Sequence, residues 1–226
     1  THDTVYQYTL STAWDISTAS YSSKSFSVST QVVSSYGLAL SSDGTKMFVV
    51  DAYTDTVYQY TLSTAWDVSS ASYASKSFSV ATQDSAPEGL AFNSDGTKMF
   101  VAGTTHDTVY QYTLSTAWDI STASYASKSF SVATQESNPS GVTFNSDGTK
   151  MFVLGFTTDT VYQYTLSTGW DVSTASYASK SFSVATQESN PYGLALSSDG
   201  TKMFVVGTTN DSVYQYTLST AWDVST

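Results

Sequence analysis

The sequence predicts an all-β fold that is built from one repeated unit. The stretch DTVYQYTLST begins at Asp3, Asp55, Asp107 and Asp159, and DSVYQYTLST begins at Asp211, so each step is 52 residues. The stretch SDGTKMFV occurs four times at the same interval. A fixed period of this length indicates a repeat architecture in which each unit packs against its neighbours. Residues 1–226 therefore form a single domain of four repeats and a partial one: 3–54, 55–106, 107–158, 159–210 and 211–226.

The second unit shows how one repeat begins. VYQYTL (57–62) alternates β-branched or polar residues with Tyr and Leu, and this period of two predicts a strand. Residues 63–75 are rich in Ser and Ala and contain Trp66. They predict a connection that is anchored by the tryptophan, with one helical turn capped by Asp67 or Ser69.

The rest of the unit predicts three more strands. KSFSVAT (76–82) alternates again, and QDSAPEG (83–89) is a loop that ends at Pro and Gly. GLAFNS (89–94) and KMFVAG (98–103) are joined by SDGT. Asp-Gly between two alternating apolar runs is the strongest short-range signal for a β-hairpin.

Four short strands in each unit, repeated without gaps, are what one blade of a β-propeller requires. A single four-stranded sheet cannot cover either of its apolar faces, so neighbouring blades must stack on it. The sequence therefore predicts a β-propeller of four-stranded antiparallel blades, with four blades per chain. A parallel β-helix is the main alternative, but its rungs are shorter and lack Asp-Gly hairpins.

Two stretches, GLALSSDGTKMFVV and DTVYQYTL, resemble the YVTN/NHL-like propeller repeats, and they are similar to blades in bacterial surface and marine phage structural proteins. The resemblance implies that 89–94 lies innermost and lines a central channel, with 98–103 second, 57–62 third and 76–82 outermost. It also implies that the loops 83–89 and TTHD (104–107) share one face. Lactonase-like members of such families use metal or acid–base residues, and no position here matches them.

The composition argues against several classes of partner. The chain has 19 acidic residues, 8 lysines and no arginine, which gives a net charge of -11. Such a chain is a poor candidate for binding nucleic acid or anionic membrane surfaces. No apolar run approaches the ~20 residues that would cross a bilayer, so no membrane insertion is expected. The absence of cysteine excludes disulfides and thiol chemistry, and it is consistent with an extracellular or virion-surface location.

The units differ mainly in two loops of the same predicted face. The loop after the outer strand reads VVSSY, DSAPE, ESNPS and ESNPY in successive units, and the loop after the second strand reads DAYT, GTTH, GFTT and GTTN. Binding residues tend to lie on loops of a rigid scaffold, so we expect recognition there. The alternative is that these loops have simply drifted, but their large aromatic residues favour recognition. The predicted ligand-binding residues are Tyr36, Tyr53, Glu88, His106, Phe156, Tyr192 and Asn210.

Other candidate chemistry is weaker. His106 beside Asp107, like His2 beside Asp3, resembles a general base, but no nucleophile motif accompanies it. We therefore predict a surface loop there and no catalytic residue. No cofactor is predicted, although weak calcium binding stays open at the acidic residues of the variable face: Asp51, Asp84, Glu88, Glu136 and Glu188. The five tryptophans are expected to pack their loops on neighbouring blades, and the alternative is that they stack on sugars.

The closure of the ring is open, because the third strand occurs five times and the others four times. The copy at 213–218 can complete the last blade with 24–30 as its outer strand, which leaves 5–10 over, or 5–10 is used and 213–218 is spare. A closed four-bladed ring competes with a homodimer of two chains that share ring closure in an eight-bladed ring.

The sequence favours a non-catalytic extracellular or virion-surface propeller that binds a glycan or protein receptor through the variable loops. A purely structural spacer is the second hypothesis. The third is a lactonase-like hydrolase with a metal in the central channel.

Overall fold

The computed structural model describes residues 3–226, and within that range its regular structure is seventeen β-strands and four short 3-10 helices, with no α-helix. None of the helices in this range is long and apolar enough to span a membrane. The strands are β1 (Thr4–Leu10), β2 (Ala19–Ser27), β3 (Ser35–Leu40), β4 (Lys46–Asp51), β5 (Thr56–Leu62), β6 (Ala71–Ser79), β7 (Pro87–Phe92), β8 (Lys98–Gly103), β9 (Thr108–Leu114), β10 (Ala123–Ser131), β11 (Pro139–Phe144), β12 (Lys150–Gly155), β13 (Thr160–Leu166), β14 (Ala175–Ser183), β15 (Pro191–Leu196), β16 (Lys202–Gly207) and β17 (Val213–Thr217). The 3-10 helices are Ile16–Thr18, Val68–Ser70, Ile120–Thr122 and Val172–Thr174.

The strands form antiparallel sheets that confirm the predicted propeller. Blade 1 is β3–β6, blade 2 is β7–β10, blade 3 is β11–β14, and blade 4 is β15–β17. A further two-stranded sheet, β1–β2, is called the half-blade below. The innermost strands β3, β7, β11 and β15 contact one another, so the predicted order from channel to rim is also confirmed.

The outer strand starts earlier than the sequence predicted. In blade 1 it begins at Ala71 rather than Lys76 and ends at Ser79. Tyr73 pairs with Tyr60 and Lys76 pairs with Gln59, so two residues bulge between them. Ser75 takes a left-handed φ of 55° at this bulge. The bulge lets the Ser/Ala segment continue the ladder although it has no alternating apolar pattern.

The connection before this strand forms as predicted. Asp67 caps the 3-10 helix Val68–Ser70, and its carboxylate accepts the Ser69 N–H at 3.1 Å. The tryptophans anchor these connections. Trp118 of blade 2 stacks on Phe48 of blade 1 with ring centroids 6.1 Å apart, and Trp170 makes the same contact with Phe100 at 6.0 Å. Packing on the neighbouring blade is therefore confirmed for Trp14, Trp118, Trp170 and Trp222, whereas Trp66 is 52% exposed.

Apolar side chains fill the space between neighbouring blades. Phe48 and Val57 of blade 1 pack with Val101, Tyr112 and Ile120 of blade 2, and all five are fully buried. Burying one such side chain stabilises the fold by about 1.5–3 kcal/mol. Since each blade presents the same residues, the same core forms at every complete junction.

Polar bonds fix the rotation of one blade on the next. Gln59 of blade 1 accepts the Ile120 N–H of blade 2 at 3.1 Å through its side-chain oxygen, and Lys76 pairs with Asp119. The same glutamine bond recurs at each junction: Gln7 with Val68, Gln111 with Val172, Gln163 with Val224 and Gln215 with Ile16. The identity of VYQYTL among the units therefore has a structural cause, since one strand serves its own blade and the next.

The half-blade lies between blade 4 and blade 1. Gln215 of blade 4 accepts the Ile16 N–H at 3.0 Å, and Gln7 accepts the Val68 N–H of blade 1 at 3.1 Å. Trp14 also packs on Phe204 of blade 4. Both copies of the terminal third strand are thus paired. The structure differs from the expected closures, because residues 24–27 pair with β1 and leave β17 with no outer strand among residues 3–226.

The half-blade has no inner strands within the described residues, so a wedge opens between blades 4 and 1. Leu38 is 47% exposed there, whereas Leu90 at the equivalent position is 7% exposed. Val213 is 49% exposed, whereas its equivalent Val57 is fully buried. This junction is the incompletely packed part of the ring.

Candidate functional site

One mouth of the central channel is surrounded by the second residue of each innermost strand. Tyr36, Glu88, Ser140 and Tyr192 occupy equivalent positions in blades 1 to 4. The rings of Tyr36 and Tyr192 lie 5.5 Å apart, and Phe156 packs on Tyr192 at 5.1 Å. Four of the predicted residues, Tyr36, Glu88, Phe156 and Tyr192, are therefore brought together.

A cavity of about 410 Å³ opens at this mouth and continues into the wedge beside blade 4. Tyr36, Tyr192 and Ser140 line it, together with glycines and apolar residues of the inner strands. The glycines let neighbouring strands approach closely: a Cβ on Gly37 would lie 2.6 Å from the Glu88 carbonyl oxygen. The volume falls in the range of small-molecule sites, about 300–1,000 Å³.

Glu88 is the titratable group at the mouth with the largest perturbation. Its Oε2 is buried and has no hydrogen-bond partner among residues 3–226. Burial and the nearby Asp84 carboxylate raise the pKa of Glu88 to about 7. Burial, the neighbouring Tyr36 and the charge of Glu88 together raise the pKa of Tyr192. A carboxyl group that titrates near neutral pH can accept and return a proton.

Ser140 is a mouth residue that the sequence reasoning missed. It is 2% exposed, and its hydroxyl donates to the Pro191 carbonyl of blade 4 at 2.9 Å. It therefore ties blades 3 and 4 together beside Tyr192. The sequence signal that could have identified Ser140 is its position at the end of the first variable loop, which is equivalent to that of Tyr36, Glu88 and Tyr192.

The other acidic residues of this face organise its loops. Asp84 is 1% exposed and accepts the backbone N–H groups of Ala86, Thr105 and His106 at 2.9–3.3 Å. Glu136 bonds in the same way with the N–H groups of Asn138, Thr157 and Thr158, and Glu188 with those of Asn190 and Thr209. These carboxylates tie the two variable loops of each blade together.

In blade 1 the carboxylate that ties the two loops together belongs to the other variable loop. Asp51, at the end of β4, accepts the N–H groups of Ser34 and Tyr53 at 2.8 and 3.2 Å. Val32 stands where the other blades have their carboxylate, and glycine stands in those blades where blade 1 has Asp51. A Cβ on Gly103 would collide with the Asp84 carboxylate. A carboxylate at either one of these two positions therefore requires a residue without a carboxylate at the other.

These bonds bear on the calcium alternative. Within residues 3–226 there is no group of three or more His, Asp or Glu side chains that could hold a metal ion. The variable-face carboxylates mostly accept hydrogen bonds from backbone N–H groups. A calcium ion could bind these oxygens only by breaking those hydrogen bonds, which is unfavourable. The donor sets in the described chain therefore do not fit a calcium site or a channel metal.

Of the seven predicted residues, Tyr36 and Tyr192 line the cavity. Glu88 precedes the lining residue Gly89, Phe156 packs on Tyr192, and the remaining three lie on the outer loops. Tyr53 is 73% exposed. The His106 side chain is 62% exposed, with Nδ1 3.6 Å from Asp84 Oδ2, and Asn210 donates to the Gln187 carbonyl at 3.0 Å. His2 lies outside the described residues.

Comparison with known families gives one match. The model of the family described as "Lactonase, 7-bladed beta-propeller" matches residues 37–222, which is more than half of the chain. No curated protein sequence matches the chain.

Solved structures show the same fold at low identity. A functionally unknown protein from Desulfotomaculum acetoxidans superposes with a TM-score of 0.58 at 18% identity over 87% of this chain and 61% of that one. The periplasmic gluconolactonase of Pseudomonas aeruginosa gives 0.51 at 15% over 81% and 49%. The Swd1 β-propeller domain of Myceliophteria thermophila gives 0.51 at 10% over 82% and 54%. The chain thus spans about half to three-fifths of the length of these structures.

Proposed function

Since the chain belongs to the seven-bladed β-propeller lactonase family, we propose that its channel mouth binds a small cyclic ester and hydrolyses it. The observation that carries the proposal is Glu88, whose pKa is raised to about 7 beside the aromatic mouth of the cavity. A solved neighbour is named a gluconolactonase, which directs the proposal toward sugar-derived lactones. The family is described with seven blades, whereas residues 3–226 form four blades and a half-blade.

The aromatic side chains would hold the ligand ring. Tyr36 and Tyr192 line the cavity with their rings 5.5 Å apart, and Phe156 supports Tyr192 from the loop of blade 3. Aromatic rings contact the apolar faces of sugar-like rings while leaving the polar edges free for hydrogen bonds. A lactone bound there would lie next to Glu88, which adjoins the lining residue Gly89.

Glu88 would act as the base and then as the acid. The ionised carboxylate accepts a proton from a water molecule as the water oxygen bonds to the ester carbonyl carbon. The bond between that carbon and the ring oxygen then breaks, and the ring oxygen takes the proton back from the Glu88 carboxylic acid. The product is an open-chain hydroxy acid, and the net reaction consumes one water.

The test is an assay for hydrolysis of glucono-δ-lactone and a panel of γ- and δ-lactones. Hydrolysis is measured as proton release in a titration at constant pH. We expect turnover above the uncatalysed rate, and about a 100-fold or greater loss in Glu88→Gln. Asp95→Asn is the matched control, because Asp95 lies in the hairpin turn of the same blade at the opposite end of the sheet. Absence of turnover over the panel, or full activity of Glu88→Gln, would refute the proposal.

The aromatic cluster also favours a second function, namely non-catalytic binding of a glycan or protein receptor at an extracellular or virion surface. This function agrees with the resemblance to YVTN/NHL-like blades of surface and phage proteins. It predicts binding on a glycan or receptor array that Tyr192→Ala and Phe156→Ala reduce and Glu88→Gln preserves. If the protein shows neither lactone turnover nor receptor binding, the hypothesis of a purely structural spacer is the one that remains.

A further inference from the structure

We infer that two copies of this chain exchange their half-blades and close together into one eight-bladed ring. The inference does not depend on the proposed hydrolysis. It follows from the incomplete junction between blades 4 and 1, and from two segments of the chain that are interchangeable.

The interchangeable segments are 5–18, which begins the half-blade, and 213–226, which ends blade 4. They read VYQYTLSTAWDIST and VYQYTLSTAWDVST, and they differ only at Ile16 and Val224. In the structure 213–226 pairs with β16 and places the Val224 N–H on Gln163 Oε1 at 3.1 Å. Residues 5–18 of a second copy can make the same bonds, because every side chain involved is the same or one methylene larger.

The exchange adds a strand that blade 4 lacks among residues 3–226. In blades 1 to 3 the outer strand pairs along the third strand, as β6 does with β5. Within the described residues β17 has no such partner. Segment 5–18 is followed by β2, which already pairs with β1 in the register of the outer strand. A second copy that replaces 213–226 therefore brings the fourth strand with it.

The exchange also fills the wedge, including the part of the cavity that Val206 and Val213 line in the single chain. Each half-blade would gain the inner strands β15 and β16 of the other copy and become a four-stranded blade. Val206 and Val213 are 40% and 49% exposed in the single chain, whereas their equivalents Val50 and Val57 are fully buried. The residues now facing the wedge, among them Leu38, are thus those that form the interfaces of the other blades. The second copy extends an interface that the fold already contains.

The resulting ring has no incomplete blade. Each chain supplies blades 1 to 3, which gives six, and the two shared blades bring the total to eight. Each shared blade consists of β15 and β16 from one copy with β1 and β2 from the other. Strand β17, which has the sequence of β1, is displaced.

Cysteine pairs can distinguish the two arrangements, since the chain has no cysteine of its own. Val206 is opposite Val213 in the β16–β17 ladder. The Leu218 N–H donates to the Thr201 carbonyl at 2.8 Å, so the Val206–Val213 pair falls at a non-hydrogen-bonded position, where Cα atoms are about 4.5 Å apart and a disulfide can form. In the exchanged ring Val206 is instead opposite Val5 of the second copy.

The experiment compares the double variants Val206→Cys/Val5→Cys and Val206→Cys/Val213→Cys after mild oxidation, alongside light scattering of the unmodified chain. We expect the sample of the unmodified chain to contain a species with the mass of two chains. The fraction of this species should rise with the protein concentration. We expect a disulfide-linked dimer from the first variant. The second variant should give an internal disulfide that locks β17 in place and keeps the chain monomeric until it is reduced.

Two results would overturn the inference. One is a chain that stays monomeric at every concentration. The other is a Val206→Cys/Val5→Cys variant that forms only an internal disulfide, which would show that residues 5–18 reach β16 of their own chain.

Discussion

The glutamine bonds between blades should carry a measurable share of the stability, and Gln111 is the sharpest place to test this. Gln111 is 2% exposed and accepts the N–H of Val172, which is fully buried, at 3.1 Å. Gln111→Leu keeps the size of the side chain but leaves that N–H without an acceptor and out of reach of water. Such a group costs about 1–3 kcal/mol.

We therefore expect Gln111→Leu to lower the free energy of unfolding by about 2 kcal/mol, which for a chain of this length lowers Tm by about 4–8 °C. Urea unfolding followed by both tryptophan fluorescence and circular dichroism measures it. The control is Gln7→Leu, because Gln7 makes the same bond with Val68 in a half-buried setting beside the wedge. A cost below about 0.5 kcal/mol for Gln111→Leu, or an equal cost for Gln7→Leu, would refute the reasoning.

Two further predictions concern the carboxylates of the variable face. Glu136→Val and Gly155→Asp should each destabilise the protein by about 2–3 kcal/mol, because the first removes the acceptor of the loop N–H groups and the second places two carboxylates together. The double variant copies Val32 and Asp51 of blade 1, and in a double-mutant cycle it should recover most of that loss. Additive costs would contradict the reasoning. The pKa of Glu88 is about 7 in the folded protein, above its ordinary value of 4.5, so its contribution to stability is fully present below pH 4.5 and is lost as the pH rises through 7. Thermal melts from pH 4 to 9 should show that the free energy of unfolding declines by about 1–2 kcal/mol, and Glu88→Gln should abolish this decline. An unchanged decline in the variant would contradict the assignment.

Most of the fold could be predicted from local sequence signals. The Asp-Gly turns, such as that at Asp95, and the alternation of VYQYTL fix the hairpins and strands, and the period fixes the number of units. The early start of the outer strand at Ala71 could not be predicted, because a Ser/Ala segment carries no apolar alternation and is paired through a bulge. The place of the half-blade could not be predicted either, since identical copies of one strand compete for the same partners.

The candidate site was predictable only in part. Tyr36, Glu88 and Tyr192 occupy the position where each inner strand enters the channel, so the strand order brings them together. Tyr53 and His106 belong to loops of the same face but do not line the cavity, a distinction that loop variation does not reveal. The role of Asp84 depends on N–H groups about 20 residues further on, such as that of Thr105, and only the exchange of carboxylate and glycine between units pointed to it.

The exchange between Val32/Asp51 and Asp84/Gly103 has a consequence for how such a gene can change. The stretch SDGTKMFV, which is identical in all four units, lies between the two members of each pair. A crossover there between the first unit and the second would give one product with two facing carboxylates and another with none. Units two to four all keep the carboxylate first and the glycine second, so they can recombine freely. Expansion and contraction of the array should therefore be confined to those three units.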